Sequence, residues 1–449
     1  MAEIAPFRGI LYTPSAGNPS SLLAPPYDVI AEPERQKLEA LSPHNCVRLI
    51  LPRPESGHPE SDDSKYTHAA SLFRAWQADG TLARDQQPAI YRYHQIFRSS
   101  ELGDREVTRK GFIARVRLHP FDEGIILPHE RTLSGPKIDR LKLMQKTRAH
   151  FSQIFGLYPD PARDTDHLFA TAESTPPAIE AQTSDGVTQR LFRLTDRDAI
   201  HALTAFMAAR KVYIADGHHR YETMLTLRDQ LRAEATPPAN PRSSVEYGVM
   251  FFCNMDDPGL VVFPTHRVLH GLVAFDRDSV LTRARDFFTV EQHPLGTPQS
   301  MRAALTASSE KGVTFGLATP GHSQFALLRL RPDLDLSRIP AVPTAPSLRT
   351  LDVTILHSIL FETILGIDRE AQAAQTNLRY VKSWEAAAAE LSAPGVQAVF
   401  LMNPTKVSQV KAVSDVGEVM PQKSTFFYPK IASGIVINPI DPAEEVTPV

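Results

Sequence analysis

Cysteine is almost absent: of 449 residues only Cys46 and Cys253 carry a thiol, and neither sits in a Cys-x-x-Cys pair. Two thiols cannot staple a chain of this size, so a disulfide scaffold and a zinc-type cysteine cluster are excluded, and a reducing compartment is the simpler reading. An excess of positive charge is missing too. The formal net charge of -3 gives no electrostatic footing for non-specific binding to nucleic acid or an anionic membrane. No apolar run reaches the ~18 residues of a membrane helix, and the opening "MAEIAPFRGILYTP" has no basic segment followed by a long apolar run. A cytoplasmic protein is expected, with no nucleic-acid or membrane partner. The oligomeric state is not legible. Nor is there a GxxxxGK followed by Ser or Thr, a GxGxxG after a strand, or a GxSxG elbow, so the common phosphate-loop, dinucleotide and hydrolase signatures are excluded.

What is present is ordinary for a globular chain: 42% apolar and 22% charged residues, with 37 prolines that make rigid connections. The length suggests two or three domains. "AIYRYHQIF" and "TRKGFIARVRL" read as paired strands around a charged turn. "THAASLFRAWQADG" reads as a helix, and so does "GPKIDRLKLMQKTRAHF", with Ile138, Leu141 and Met144 on one face. The Pro/Thr/Ala-rich stretch from Ala162 to Thr188 reads as a loop or insertion. Thr195 or Asp196 is placed to cap a helix that buries Ile200, Leu203, Phe206 and Met207. "VYIA" is then a short buried strand, with Tyr221, Leu225 and Leu231 on one face of the helix after it. "GVMFFCNM" and "LVVFPTHRV" flank an Asp-Asp-Pro-Gly turn and predict a hairpin. "LDVTILHSILFETILG" predicts a helix with Val353, Leu356, Leu360 and Ile364 in register, ended by Gly366. The division expected is 1–275 and 276–449, in a mixed α/β (α+β) chain.

The chemistry concentrates in "VYIADGHHRYETML". A strand that turns through glycine into a helix aims the first amides of that helix at one spot, where the helix dipole favours an anion, commonly phosphate. Gly217 permits close approach, Arg220 can fork onto phosphate oxygens, and His218 and His219 can donate to them. Asp216 could hold Mg²⁺ or receive a hydroxyl proton. Equally, Asp216 could simply cap the helix with His219 packed under a loop. Zinc on the adjacent histidines is disfavoured because neighbouring positions diverge on a helix.

Further candidates lie elsewhere. "LPHERTLSGPKIDR" offers Glu130 as base or metal ligand, and Arg131 and Lys137 as phosphate contacts. "FPTHRV" ends a strand with His266 and Arg267. "MPQKSTFFYPK" offers Lys423 and Ser424 for an anion or nucleotide. In "APPYDVI", Tyr27 and Asp28 could reach a substrate, Asp28 acting on its hydroxyl. His357, midway along an apolar helix, reads as a core histidine.

"ADGHHRY" resembles the signature turn of the ParB/sulfiredoxin-like superfamily, whose equivalent turn binds nucleotide phosphates. Its members include CTP-binding partition proteins, sulfiredoxin and an ADP-dependent free-serine kinase. The Asp-Gly-His-His-Arg form is most similar to the kinase branch. Sulfiredoxin carries a reactive cysteine there, whereas this chain has His218, which argues against sulfinic-acid repair. More widely, "PFRGILY", "APPYDVI", "HERTLSGPKIDRLKLMQKTRAHFSQIFGLY", "FPTHRV", "LDVTILH" and "MPQKSTFFYPKIASGIVINP" resemble a bacterial and archaeal family of domains of unknown function, number 1015. The resemblance implies a ParB/sulfiredoxin-like core with large insertions and a C-terminal α/β region contributing to the site. It implies a nucleotide-dependent phosphotransferase, a kinase using ATP or ADP (or another nucleotide) with Mg²⁺ on a small hydroxylated metabolite such as serine. Gly217, His219 and Arg220 would hold the phosphates, and Asp216, Glu130 and His218 are the catalytic candidates. The alternatives are a nucleotide-sensing regulatory protein and a phosphoester hydrolase.

Overall fold

The structure is a computed structural model that describes residues 1–54, 57, 59, 63–130, 134–234 and 240–447, with only the main chain of 134–136. Arg131, one of the phosphate candidates, lies outside the described residues. Strands and helices alternate throughout, and the chain is a mixed α/β protein. It divides into two compact units. One comprises Met1–Pro128, Thr132–Leu260 and Pro429–Val449, and the other His129–Arg131 and Val261–Tyr428. Among the described residues, no helix is long and apolar enough to cross a membrane.

The first unit is built on a sheet of nine described strands. Its order runs Ile126–Leu127, Val212–Asp216, Ile154–Tyr158, Tyr247–Asn254, Val107–Arg117, Ile90–Phe97, Thr188–Leu194, Ile179–Gln182, with Ile4–Ala5 also against Val107–Arg117. The expected strand pair forms, antiparallel, with Tyr91 opposite Ile113. Val212–Asp216 lies parallel to Ile126–Leu127 and antiparallel to Ile154–Tyr158, with a register shift between Ile214 and Asp216 that re-aims the last side chain. The helix Ser134–Thr147 packs against both Ser64–Ala78 and His218–Glu234.

Several helix faces differ from the sequence reading. Ile138 is 58% exposed; Arg140, Leu143, Met144 and Thr147 form the buried stripe instead. Their i, i+3, i+4, i+7 spacing is equally helical, but one member is an arginine that apolar periodicity skips. On His218–Glu234 the buried side carries Arg220, Tyr221, Met224, Leu227 and Arg228, while Leu225 and Leu231 are only half-buried. Asp196 is the cap of Arg197–Met207, accepting from the Ala199 amide at 2.8 Å, and Phe206 is half-buried. The Ala162–Thr188 stretch is more ordered than a loop: it holds the short helix Ala170–Glu173 and the edge strand Ile179–Gln182.

The hairpin across "DDPG" does not form. Tyr247–Asn254 is a central strand, flanked on one side by Val107–Arg117 and on the other by Ile154–Tyr158, so it has no free edge to offer. The chain leaves it at Asn254, whose side chain bonds the Asp160 amide and carbonyl. Val261–Phe263 pairs instead with Phe426–Tyr428 in the second unit.

That second unit carries an antiparallel sheet of six described strands: Phe288–Pro294, Gln324–Leu330, Thr314–Ala318, Val396–Leu401, His266–His270 and Leu378–Val381. Val268, Met301, Leu305, Phe325, Trp384 and Val399 form its core. The helix expected over "LDVTILHSILFETILG" is α-helical only for Asp352–Ile355 and continues as a π-helix, Leu356–Ile364. Its apolar faces are buried nearly all round, and Gly366 terminates it at φ 72°.

Candidate functional site

The Asp-Gly-His-His-Arg corner is formed as its sequence suggests. Val212–Asp216 ends, Gly217 turns at φ 93°, and His218–Glu234 begins. A side chain at Gly217 would meet the Arg220 guanidinium at 3.0 Å, so the glycine serves both the turn and the close approach. Arg220 folds back under the turn. Its Nη2 donates to Asp216 Oδ2 at 2.6 Å and its Nη1 to the Gln153 carbonyl.

The other Asp216 oxygen is ion-paired with Lys430. Burial alone would raise the Asp216 pKa, but the Lys430 and Arg220 charges outweigh it and hold the carboxyl below its usual range. Lys430 is itself anchored from the sheet. Gln95 donates to the Lys430 carbonyl at 2.9 Å, and Arg109 donates to the Pro429 carbonyl while lying 4.6 Å over the Phe155 ring. The result is two cations and one carboxylate gathered at the start of a 17-residue helix. His218 is buried there and adds to the field at Asp216, and His219 is half-buried.

Tyr27 belongs to the same neighbourhood. It sits in a short 3-10 turn, Tyr27–Val29, with the Arg140 guanidinium 4.2 Å over its ring. Burial raises its pKa, offset in part by the Arg220 charge. Tyr27, Arg140, Ser152, Arg220 and Met224 line a cavity of about 40 Å³, which has room for a water or two. Asp28 is exposed. Lys137 is ion-paired at 2.6 Å with Glu222 on the helix His218–Glu234.

Glu130, His266, Arg267, Lys423 and Ser424 belong to the second unit. Glu130 is half-buried and bridges Met420. His266 and Arg267 open the strand His266–His270 rather than end one. Both are buried: His266 Nδ1 accepts from the Met402 amide at 3.1 Å, and the ring meets Trp384 edge-on. Arg267 is bonded to the Thr265 and Lys423 carbonyls, and burial lowers its pKa to about 10. Lys423 is exposed at φ 58°, and the Ser424 hydroxyl is turned inward onto the Pro421 carbonyl. His357 is a satisfied core histidine, bonded to Gln372 at 2.7 Å.

A metal does not fit Asp216 as it stands. Both of its oxygens are bonded to cations, and no group of three His, Cys, Asp or Glu side chains suited to a metal occurs among the described residues. The residue missed by the sequence reading as a site member is Lys430, because nothing in "YPKIASG" marks a lysine that reaches back to a strand end.

The sequence matches the family described as "Protein of unknown function (DUF1015)" over residues 4–354. The chain belongs to that family. No curated protein matches it. Among solved structures it is similar to a conserved hypothetical protein from Pyrococcus furiosus, at 13% identity and a TM-score of 0.33, covering 72% of this chain and 93% of that one. A free serine kinase in complex with AMP is also similar, at 13% identity and a TM-score of 0.33, covering 72% and 90%. SbnI from Staphylococcus aureus, truncated at its C-terminus, matches at 10% identity and a TM-score of 0.29, covering 70% and 83%.

Proposed function

We propose that this protein binds a nucleotide with its phosphates at the start of the helix His218–Glu234 and transfers a phosphoryl group to a small hydroxylated metabolite. The observation that carries the reading is the gathering of Arg220 and Lys430 on Asp216 beside the Gly217 turn. A helix N-terminus and two adjacent cations favour a phosphate, and phosphoryl transfer asks mainly for positioning and charge stabilisation. In this reading Asp216 keeps Arg220 and Lys430 in place until phosphate oxygens take them over. His218 and His219 supply further donors, and Tyr27 lies beside Arg220. Any Mg²⁺ arrives with the nucleotide as part of the substrate.

The test combines binding and turnover. ATP, ADP and CTP are each titrated into the full chain while the melting temperature is followed, since a ligand of the native state raises it by mass action. Labelled ATP or ADP is then offered with hydroxylated metabolites, serine among them. Nucleotide-dependent stabilisation that Arg220→Ala weakens, with label appearing on an acceptor, supports the reading. No stabilisation by any nucleotide sinks it. A second reading, a nucleotide-sensing protein without turnover, is favoured by one observation: a carboxylate with both oxygens engaged by cations is a poor base. Stabilisation without label transfer or phosphate release selects it.

A further inference from the structure

A cavity of about 620 Å³, within the range of small-molecule sites, lies in the second unit. One wall is the junction where Asp352–Ile355 passes into the π-helix Leu356–Ile364, a kind of distortion that recurs at functional sites. Thr354 and Ser358 stand one turn apart on that wall, and Tyr380 faces them from the edge strand Leu378–Val381. The hydroxyl of Thr354, a residue only 2% exposed, has no hydrogen-bond partner among the described residues. The Ser358 and Tyr380 hydroxyls bond to no described residue either. A buried hydroxyl left unbonded is destabilising, and a ligand oxygen would remove that cost.

The charges say which ligand. Behind Tyr380 and His357 lies Arg267, 1% exposed, its guanidinium 5.2 Å over the Tyr380 ring and 3.4 Å from His357 Nε2. No carboxylate among the described residues is ion-paired with it, although the Glu130 carboxylate acts on it through space. His357 cannot compensate the charge: its Nδ1 donates to Gln372, which leaves Nε2 as an acceptor facing Arg267 on a neutral ring. At the rim, Glu362 is paired with Arg369 at 3.3 Å, and Glu418 adds one more negative charge. A single negative charge near the hydroxyls would balance Arg267, whereas a polyphosphate would meet the rim carboxylates. Elsewhere the lining mixes the apolar Val342, Leu348 and Met420 with the polar Thr344, Gln372 and Gln422.

We propose that this cavity binds a small monocarboxylic acid, its carboxylate bonded by Thr354, Ser358 and Tyr380 in the field of Arg267 and its apolar body against Val342, Leu348 and Met420. The site is separate from the nucleotide corner and stands whether or not that reading holds. It is tested by calorimetric titration of the full chain with hexanoate and 3-phenylpropanoate, and with hexanol and hexyl phosphate as the neutral and dianionic counterparts. Saturable binding of at least one acid is expected, at least tenfold tighter than hexanol or hexyl phosphate. Thr354→Val and Tyr380→Phe should each weaken it about tenfold or more. Tyr380 is half-buried on an edge strand, so Tyr380→Phe remains informative should Thr354→Val fail to fold. Neither variant should change the stabilisation by nucleotide, if there is any. No binding of either acid, hexanol binding as tightly as hexanoate, or unaltered affinity in a folded Tyr380→Phe would each overturn the proposal.

Discussion

The Lys430 ammonium is ion-paired with the Asp216 carboxylate from 214 residues further along the chain, and Arg220 holds the other oxygen of that carboxylate at 2.6 Å. Removing the carboxylate leaves two largely buried cations facing each other, so Asp216→Ala should cost about 3–5 kcal/mol. Lys430→Met should cost less, because Arg220 still satisfies Asp216. The pH dependence follows from the depressed Asp216 pKa. The ionised form is favoured by folding, so its stabilisation is fully present above the unfolded carboxylate pKa of about 3.9 and is lost as pH falls below it. In Lys430→Met the Asp216 pKa rises toward its unfolded value, so less stability is lost to acid and the loss is complete at a higher pH. Urea unfolding between pH 2.5 and 5 checks this; identical acid limbs for the variant and the parent would show that Lys430 does not hold the carboxylate down.

Gly217→Ala should be destabilising by about 1–2 kcal/mol, the order of cost for a side chain at positive φ. The new Cβ also sits 3.0 Å from the Arg220 guanidinium, which cannot withdraw without leaving Asp216. Two effects are therefore expected together: a lower urea midpoint at unchanged slope, and a shallower acid limb because Asp216 has lost part of its partner. A lower midpoint with an unchanged acid limb would mean that the turn and the ion pair are independent.

Much of this corner was legible because it is local. Strand, glycine and helix within fourteen residues need only the chain's own stereochemistry, and "VYIA" carries its burial in its composition. Lys430 was not legible, since its place depends on Gln95 and Arg109 gripping the carbonyls beside it from the middle of the sheet. The failed hairpin has a similar origin. Turn chemistry at Asp257 and Gly259 is present, but the strand before it is claimed on both edges by partners from elsewhere in the sequence. Ile138 misled because apolar spacing assigns a face without knowing that Arg140 can be buried over Tyr27, its Nη1 bonded to the Ile50 carbonyl. The π-helix was invisible: its residues have ordinary helical spacing, and the wider turn shows only in main-chain bonds such as Leu365 to the Leu360 carbonyl, with Gln372 taking up the His357 carbonyl from outside.

Three buried histidines predict a loss of stability in mild acid. Burial, with Arg267 beside both, pushes the pKa of His266 and of His357 down to about 3, and burial with Arg115 nearby does the same for His150. The folded state keeps them neutral while the unfolded chain takes up protons from about pH 6.5. Stability is thus full above pH 6.5 and falls as pH drops toward 3, by up to about 1.4 kcal/mol per pH unit for each histidine. His266→Phe keeps the ring against Trp384 but loses the bond from the Met402 amide. It should start less stable at pH 7.5 and lose less between pH 6.5 and 5, a window above most carboxylate titration. Parallel stability curves for variant and parent over that window would contradict the assignment.

Gly259→Ala tests where the chain leaves the first sheet. Gly259 sits in the turn closed by Asp257, whose carboxylate accepts from its amide at 2.8 Å. Its φ is not positive, so alanine carries no strain of its own there. The obstacle is outside the turn: a Cβ would strike the Thr108 carbonyl and the main chain at Arg109, part of the long strand Val107–Arg117. Main chain held in register against Gln95 and Ile96 cannot swing away as a side-chain tip could, so the collision must move the turn or open the strand. A cost of about 1–3 kcal/mol is expected, typical of overpacking. Amide exchange should accelerate at Thr108 to Lys110 and not at the far end of the same strand. Uniform exchange along Val107–Arg117 would place the strain elsewhere, and an unchanged urea midpoint would mean that the turn does not press on this strand in solution.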